Sequence, residues 1–537
     1  MGLSDLCKKK KFLFFLVFLI SFIWLFSLTH NFNFFWEDEV FIMRYNTFLQ
    51  HPEEYSFGKQ ITTFFVLLVD LHKFLMVDYS SKTLDFFFVN LLPSLLGLNV
   101  VWYRVIRSIG GAILLIVYFY IFYRMSDKID KTVLSFLLIC FISVLPELWI
   151  TVLYGQDSLL FTLLFGTAAL VLFFFCYYEH EESQSSNKQW ILFLLIVLLT
   201  HISNLIKHVG RINFIIIFFF LLLTNKKKIL TVKYGFLMLM LLLLSVPFGT
   251  LFSKAFSSDG LDINKLGSAG ATDHQTNFFM LGVNFLKTFY LTFFEHASFL
   301  VPLFLIFLSL WIWKWKQMET TDQKQVQFLK EVCLFSLCWF VFAALALHLT
   351  RGLVFDRTYW IRFQFIIFIV PQVLFIMSFC LFICRTRFPT RRILVYIIYF
   401  FLILAVFHNI MRLNEWRGGW GAYYLGYDTA RQYVDEHAEN ALLVMPFDHA
   451  SATYFVKSNN AHMLVSDITN SSLLSSYLAN YSAVYIANKA EMTFDDSAVV
   501  NIANLTIIDT SPYGRLKAFI GNYYSSPMYL YQVQTGR

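Results

Sequence analysis

Residues 8–41 read KKKKFLFFLVFLISFIWLFSLTHNFNFFWEDEVF. Four lysines, Lys8 to Lys11, precede a charge-free apolar run from Phe12 to Leu28. An aromatic cluster, Phe34-Phe35-Trp36, then leads into three adjacent carboxylates, Glu37, Asp38 and Glu39. Crossing roughly 30 Å of hydrocarbon takes about 20 apolar residues, and the stretch 12–32 supplies them. No small-x-small cleavage site follows in Thr29-His30-Asn31, so the run is expected to persist as an anchor and not to be removed as a signal peptide.

The rest of the chain repeats this pattern. Of 537 residues, 58% are hydrophobic, 19% aromatic and only 14% charged, with 64 Phe. Soluble domains carry about a quarter charged residues to coat their surface. The composition therefore excludes a soluble enzyme with a peripheral anchor and points to a polytopic α-helical membrane protein. Apolar runs of spanning length fall near 12–32, 101–123, 132–150, 158–178, 189–206, 211–224, 229–250, 297–313, 328–350, 361–384 and 393–411. An odd count, eleven, puts the termini on opposite sides.

Lys and Arg in the short loops set the orientation. Loops 1–11, 124–131, 179–189, 225–233, 314–330 and 385–392 hold 20 basic residues in 64 positions. The opposite set holds 12 in 145. The first set, with the N-terminus, is expected in the cytoplasm. The stretch 278–294 (FFMLGVNFLKTFYLTFF) is read as interfacial, because another span there would put Arg385–Arg392 outside. Segment 86–98, broken by Pro93, is likewise read as a helix lying on the surface. The net charge of +7 follows from these loops and does not suggest nucleic acid.

After residue 411 the apolar runs shorten to strand length. Helices are expected at Tyr427–His437, Ala450–Lys457 and Ser471–Tyr481. Strands are expected at Ala441–Phe447, His462–Ser466, Ala483–Ala487, Leu505–Ile508 and Tyr529–Val533. Strands separated by helices read as a small α/β domain. Residues 1–411 thus form a transmembrane unit with a first outer loop at 33–101, and 412–537 an extracytoplasmic α/β domain. Its sequence holds no Gly-rich phosphate loop and no His/Cys metal spacing. The seven cysteines lie in the N-terminal tail or in apolar runs, which gives no disulfide framework.

Charges at the expected outer ends are the informative feature. Glu37, Asp38 and Glu39 follow the first span. Glu147 and Asp157 bracket the turn Leu145–Asp157. The next outer turn, at the end of the fifth span, contains His201, Asn204, Lys207, His208 and Arg211, and on a continued helix 201, 204, 208 and 211 share an arc of about 80°. Glu295 and His296, then Arg351, Asp356, Arg357 and Arg362, mark two further outer ends. Ionisable groups at membrane depth usually line a cavity or pair with one another. A shared outward cavity with carboxylates on one wall and cations on another suits a hydroxyl nucleophile and a phosphate leaving group. A carboxylate takes the acceptor proton, while cations stabilise charge growing on the phosphate oxygen.

These residues resemble the GT-C superfamily of polyprenyl-phosphate-sugar glycosyltransferases. The nearer likeness is to the bacterial branch related to protein O-mannosyltransferases and the lipid A aminoarabinose transferase. That family carries an aromatic-x-DE-x-x-aromatic motif in its first outer loop, here Phe35-Trp36-Glu37-Asp38-Glu39-Val40-Phe41. Tyr103-Arg104-Val105-Ile106-Arg107-Ser108-Ile109-Gly110-Gly111-Ala112 resembles the start of its second span, and Tyr154-Gly155-Gln156-Asp157-Ser158 the turn opening its fourth.

The resemblance implies Asp38 as catalytic base, with Glu39 and Asp157 positioning the acceptor and Glu37 and Glu147 as supporting acids. The extra Glu37 leaves open which of the three neighbours faces the cavity, because alternate residues of an extended segment point to opposite sides. By position, Lys207, His208, Arg211, Arg351 and Arg357, joined by Arg104, are candidates for the lipid-phosphate oxygens. Some members use a divalent cation and others none; Mg2+ or Mn2+ at Asp38 and Glu39 is compatible with the carboxylate run. The implied partners are the lipid bilayer, a polyprenyl-phosphate sugar and a glycan, lipid or protein acceptor at a bacterial cytoplasmic membrane. Rival readings are a lipid-linked-sugar flippase, which predicts charges midway through spans and internal repeats, and an O-antigen-type polymerase or ligase, which predicts a large Arg-rich late outer loop. Here the loop 351–362 has twelve residues.

Overall fold

The computed structural model describes residues 3–29, parts of 58–65, 100–125, 131–153, 159–179, 186–206, 212–224, 231–245, parts of 331–342, 391–446, 460–465, parts of 474–488, 491–494, 499–508 and 525–533. These residues are mostly helical. In chain order the helices are α1 (Leu3–Thr29), α2 (Val100–Met125), α3 (Lys131–Ser143), α4 (Pro146–Leu153), α5 (Leu159–Glu179), α6 (Ser186–Ile206), α7 (Ile212–Thr224), α8 (Val232–Ser245) and α9 (Arg391–His437). Five of them contain windows long and apolar enough to cross a membrane: Lys11–Thr29, Arg104–Ile121, Leu160–Tyr177, Asn187–Ile206 and Tyr396–Asn414. Helices α7 and α8 are apolar but shorter. The expected spans 297–313 and 361–384 and the surface helices at 86–98 and 278–294 lie outside the described residues.

Two helices show why lipid is the natural surroundings. Along α1, Val17, Ser21, Leu25 and Leu28 are buried, while Phe12, Phe15 and Ile23 are more than half exposed. Along α9, Ile398, Leu402 and Ala405 are buried, while Tyr396, Phe407 and Met411 stand exposed. Apolar stripes of this length left open to water would be an aggregation hazard. The chain is a membrane protein. Within the bundle, Phe supplies the packing: Phe173, Phe174 and Phe220 meet Phe335 at ring separations of 6.5, 5.2 and 5.1 Å.

The run 132–150 departs from its sequence reading. It is not one helix: α3 stops at Ser143, and α4 starts afresh with Pro146. Proline lacks the N–H that would continue the ladder, yet suits the first position of a new helix, where no partner is needed. The turn closes through Leu145 N–H donating to Ile142 O at 3.2 Å and Trp149 N–H donating to Leu145 O at 3.2 Å. The short helix so created touches α1, α2, α3, α5 and α9.

Helix α9 also exceeds its expected length. Its 47 residues run for about 70 Å at 1.5 Å per residue, passing without a break through residue 411, where the apolar run ends. Its early part packs on α3 and α4, and its far end on a sheet. The sheet has the order β2-β1-β3-β5-β4, from strands β1 (Ala441–Pro446), β2 (Ala461–Val465), β3 (Ala483–Asn488), β4 (Val499–Ile508) and β5 (Ser525–Val533). Strand β1 is parallel to both β2 and β3, and β5 is antiparallel to β3 and β4. Both faces are covered. Ala430 and Val434 of α9 pack with Leu443, Met445, Met528 and Leu530, and Leu474 packs with Leu442, Val444, Ile486 and Val533 on the other side. Burial on both faces is why β1 reads as a continuous apolar run and does not alternate.

One asparagine secures the corner between α9 and β1. Asn460 Oδ1 accepts the Ala441 N–H at 2.8 Å, while its Nδ2 donates to Asp435 Oδ1 and to Ala438 O, each at 3.0 Å. Asp435 is also paired with Arg431 at 3.0 Å. Between them Asn440 takes φ 55°, a left-handed turn that asparagine tolerates better than most residues. Asn460→Ala is expected to lower the stability of this region by about 1–3 kcal/mol, because it removes the acceptor of the buried Ala441 N–H and the donor to Asp435 and Ala438 O. Thermal unfolding of the purified chain, followed by the fluorescence of a probe in the sheet, measures the loss.

Candidate functional site

The described site is built around α4. Burying a helix of eight residues on all sides creates an immediate difficulty, since each helix end leaves four backbone groups unsatisfied. At its C-terminal end the answer is Arg107. The side chain is fully buried on α2, and its Nε donates to Val152 O at 2.7 Å while Nη2 donates to Thr151 O at 2.6 Å. A cation at this end also meets the negative pole of the helix dipole. At the N-terminal end Glu147, fully buried in the first turn, accepts from Arg412 Nη2 of α9 at 3.0 Å. Arg412 Nη1 also donates to Asn409 Oδ1 at 3.3 Å. A carboxylate there faces the positive pole.

Neighbouring helix ends are closed the same way. Trp149 Nε1 of α4 donates to Leu28 O, near the end of α1, at 3.2 Å. Trp24 Nε1 of α1 donates to Ser143 O, the last residue of α3, at 3.0 Å. Thr29 and Ser108 hydroxyls lie 3.4 Å apart where α1 meets α2. The Gly110-Gly111 pair permits this approach. A Cβ at Gly111 would lie 2.8 Å from Leu25 Cδ1 and 2.9 Å from Val152 Cγ2, and one at Gly110 would lie 3.1 Å from Phe161 Cε1. Helix α2 is therefore wedged between α1 and α4 on one side and α5 on the other.

A second polar contact joins α5, α6 and α7. Ser203 Oγ donates to Thr162 O at 2.9 Å, and a Cβ at Gly166 would meet Asn213 Nδ2 at 2.5 Å and Ser203 Oγ at 3.1 Å. His201 and Asn204, the first members of the polar stripe read from sequence, are buried on α6.

Of the site residues expected from sequence, Arg104 and Glu147 are described, and both are fully buried. Arg104 lies one turn before Arg107 on the same side of α2. Glu37, Asp38, Glu39, Asp157, Lys207, His208, Arg211, Arg351 and Arg357 lie outside the described residues. Among the described residues no group of three His, Cys, Asp or Glu is placed to hold a metal ion. What the structure brings together is the flanks. The end of α1, which precedes the acidic run, the start of α2, and α4, which precedes Asp157, form one packed junction.

Sequence reasoning missed two residues here. Arg412 stands just past the last expected span, and nothing in its own neighbourhood announces a partner 265 positions away. Arg107 carried a usable signal: an arginine three residues inside the largely apolar window Arg104–Ile121 has to find buried acceptors. No family model, curated protein or solved structure matches the chain.

Replacing Arg107 by Leu is expected to cost roughly 2–6 kcal/mol, since each buried carbonyl left orphaned costs roughly 1–3. Thermal melting of the detergent-purified protein, with Arg107→Lys alongside, reads this out. Lys retains the charge but cannot reach both carbonyls with a fork, so it should fall between the two.

Proposed function

We propose that the chain is an integral membrane glycosyltransferase that moves a sugar from a polyprenyl-phosphate donor to a hydroxyl of an extracytoplasmic acceptor, with inversion at the anomeric carbon. In this reading it has about eleven spans, as counted from the apolar runs, a cytoplasmic N-terminus and an extracytoplasmic α/β domain at 412–537. The observation that carries the reading is the acidic run Glu37-Asp38-Glu39, directly after a span and inside the aromatic frame Phe35–Phe41. The packing of α1 against α2 and α4 supports it: α1 leads to that run, and Leu153 of α4 precedes Asp157 by four residues.

The chemistry balances simply. Asp38 removes the acceptor's hydroxyl proton as the oxygen bonds to the anomeric carbon, and the bond from that carbon to the phosphate oxygen breaks on the opposite face. Polyprenyl phosphate leaves with the electron pair, its charge met by cations drawn from Lys207, His208, Arg211, Arg351 and Arg357. Glu39 and Asp157 orient the acceptor. Where a divalent cation takes part, Asp38 and Glu39 would hold it, and it would supply charge to meet the leaving phosphate.

The test is transfer from a radiolabelled polyprenyl-phosphate sugar pool in membranes holding Asp38→Asn, Glu37→Gln or Glu39→Gln at equal expression. Loss of a general base lowers the rate by about 10²–10⁴-fold, and Asp38→Asn is expected to show that loss. Full transfer by all three variants would sink the mechanism and favour movement of a lipid-linked sugar without bond formation.

A further inference from the structure

We propose that the outer edge of β4 is a docking site for an extended, uncharged segment of a second polypeptide, which joins the sheet as an added strand. β4 stands at one end of the strand order, and among the described residues it pairs with β5 alone. It has ten residues, against five for β2 at the opposite end. Val500, Asn501 and Asn504 are exposed. The backbone N–H and C=O groups along such an edge form a template for another chain.

Sheets usually blunt a free edge with lysine, proline, a bulge or brevity. β4 carries one of these devices, a register shift between Asn501 and Ala503. Beyond it, Ala503–Ile508 pairs with β5 without a further shift. No charged residue stands between Asp496 and Asp509, and β4 holds no proline. The strand presents two kinds of side chain. Ala503 and Leu505 join the apolar layer of Ala430 and Val434, whereas Asn504 is exposed and accepts from Asn501 Nδ2 at 2.9 Å. Cross-strand neighbours are most favourable when they match in kind. The segment that fits therefore alternates apolar residues with small polar ones.

A second copy of this chain does not suit the same edge. Three residues separate α9 from β1, and Leu443 and Met445 lie against Ala430 and Val434, so the strands fold back along α9. Helix α9 is unbroken from its membrane window, Tyr396–Asn414, to that contact. Strands and helix thus share a direction across the membrane. Two copies inserted alike in one membrane are related by rotation about that direction, which leaves both β4 strands pointing the same way. Joining identical edges about a two-fold axis needs them antiparallel. A separate extended segment is free of that restriction.

The experiment uses the full chain in detergent and a fluorescein-labelled peptide of about eight residues, a common strand length, alternating Val and Thr and ending in a benzophenone. Saturable binding is expected, with photo-crosslinks centred on Val499–Ile508. Methylating alternate amide nitrogens of the peptide removes the donors along one edge and is expected to weaken binding by about tenfold or more. Failure to saturate by about 1 mM overturns the proposal, as do crosslinks placed elsewhere. Equal binding by the methylated peptide also overturns it, because adhesion to apolar surface needs no backbone donors. So does a disulfide-linked dimer formed in membranes by Asn504→Cys and not by the native chain, which would give the edge to a second copy.

Discussion

A peptide group left without a partner in hydrocarbon costs several kcal/mol, and this structure is organised by that constraint at one helix. Helix α4 has eight residues, too few for most of its backbone groups to be satisfied internally, and it is buried on every side. Its last carbonyls are closed by Arg107, and its first turn presents Glu147 to Arg412. Both charges also complement the helix dipole. The same device recurs around it: Leu28 O is closed by Trp149 and Ser143 O by Trp24. Ends of α1, α3 and α4 are thus tied by side-chain N–H groups reaching from another helix. Each tie fixes a distance between two elements as well as satisfying an acceptor.

The helical membrane character was plain in the sequence, because Phe12–Leu28 and its counterparts have a composition that suits little else. The run Leu159–Glu179 was legible within a residue or so for the same reason. The break at Val144-Leu145 was not. Hydropathy is blind to it, as Leu145, Leu148 and Trp149 are as apolar as a span requires. Pro146 was the one local sign, and proline inside a span is common enough to be passed over. The strands starting at Ala441 and Ala483 stood out as short β-rich runs bounded by polar residues. By contrast β4 and β5 extend well before the apolar residues that flagged them, because Asn501 and Ser525–Pro527 are held by ladder pairing with the opposite strand and not by their own preference.

The candidate site was legible in part, and the missing part has a physical cause. Sequence shows where charges are, and thereby singled out Glu147 as an acid that a bilayer would not accept unpaired. It does not show which cation answers. Arg412 and Arg107 were both visible as residues, but their partners are a carboxylate far along the chain and two peptide oxygens, which any sequence possesses. Arg104 and Arg107 look alike on paper. For Arg107 the acceptors are two backbone carbonyls of a neighbouring helix, so its cationic character is spent on architecture, and a reading that assigns basic residues at the outer boundary to phosphate needs that correction residue by residue.

Association of helices in lipid gains nothing from excluding water, since the tails are as apolar as the side chains. The phenylalanine-rich faces of this chain therefore cannot by themselves say how α1 or α9 should sit. Close approach and hydrogen bonding must do so. Both are concentrated at the same place: Gly111 lets Leu25 and Val152 come together, and Trp24, Trp149, Arg107 and Arg412 bind α1, α2, α3 and α9 to α4 or to its neighbour's end. The open stripes of α1 and α9 can then face lipid without loss of order, because orientation is decided at one end of each contact. A bundle fixed in this manner is rigid around α4 and tolerant of substitution on its lipid face.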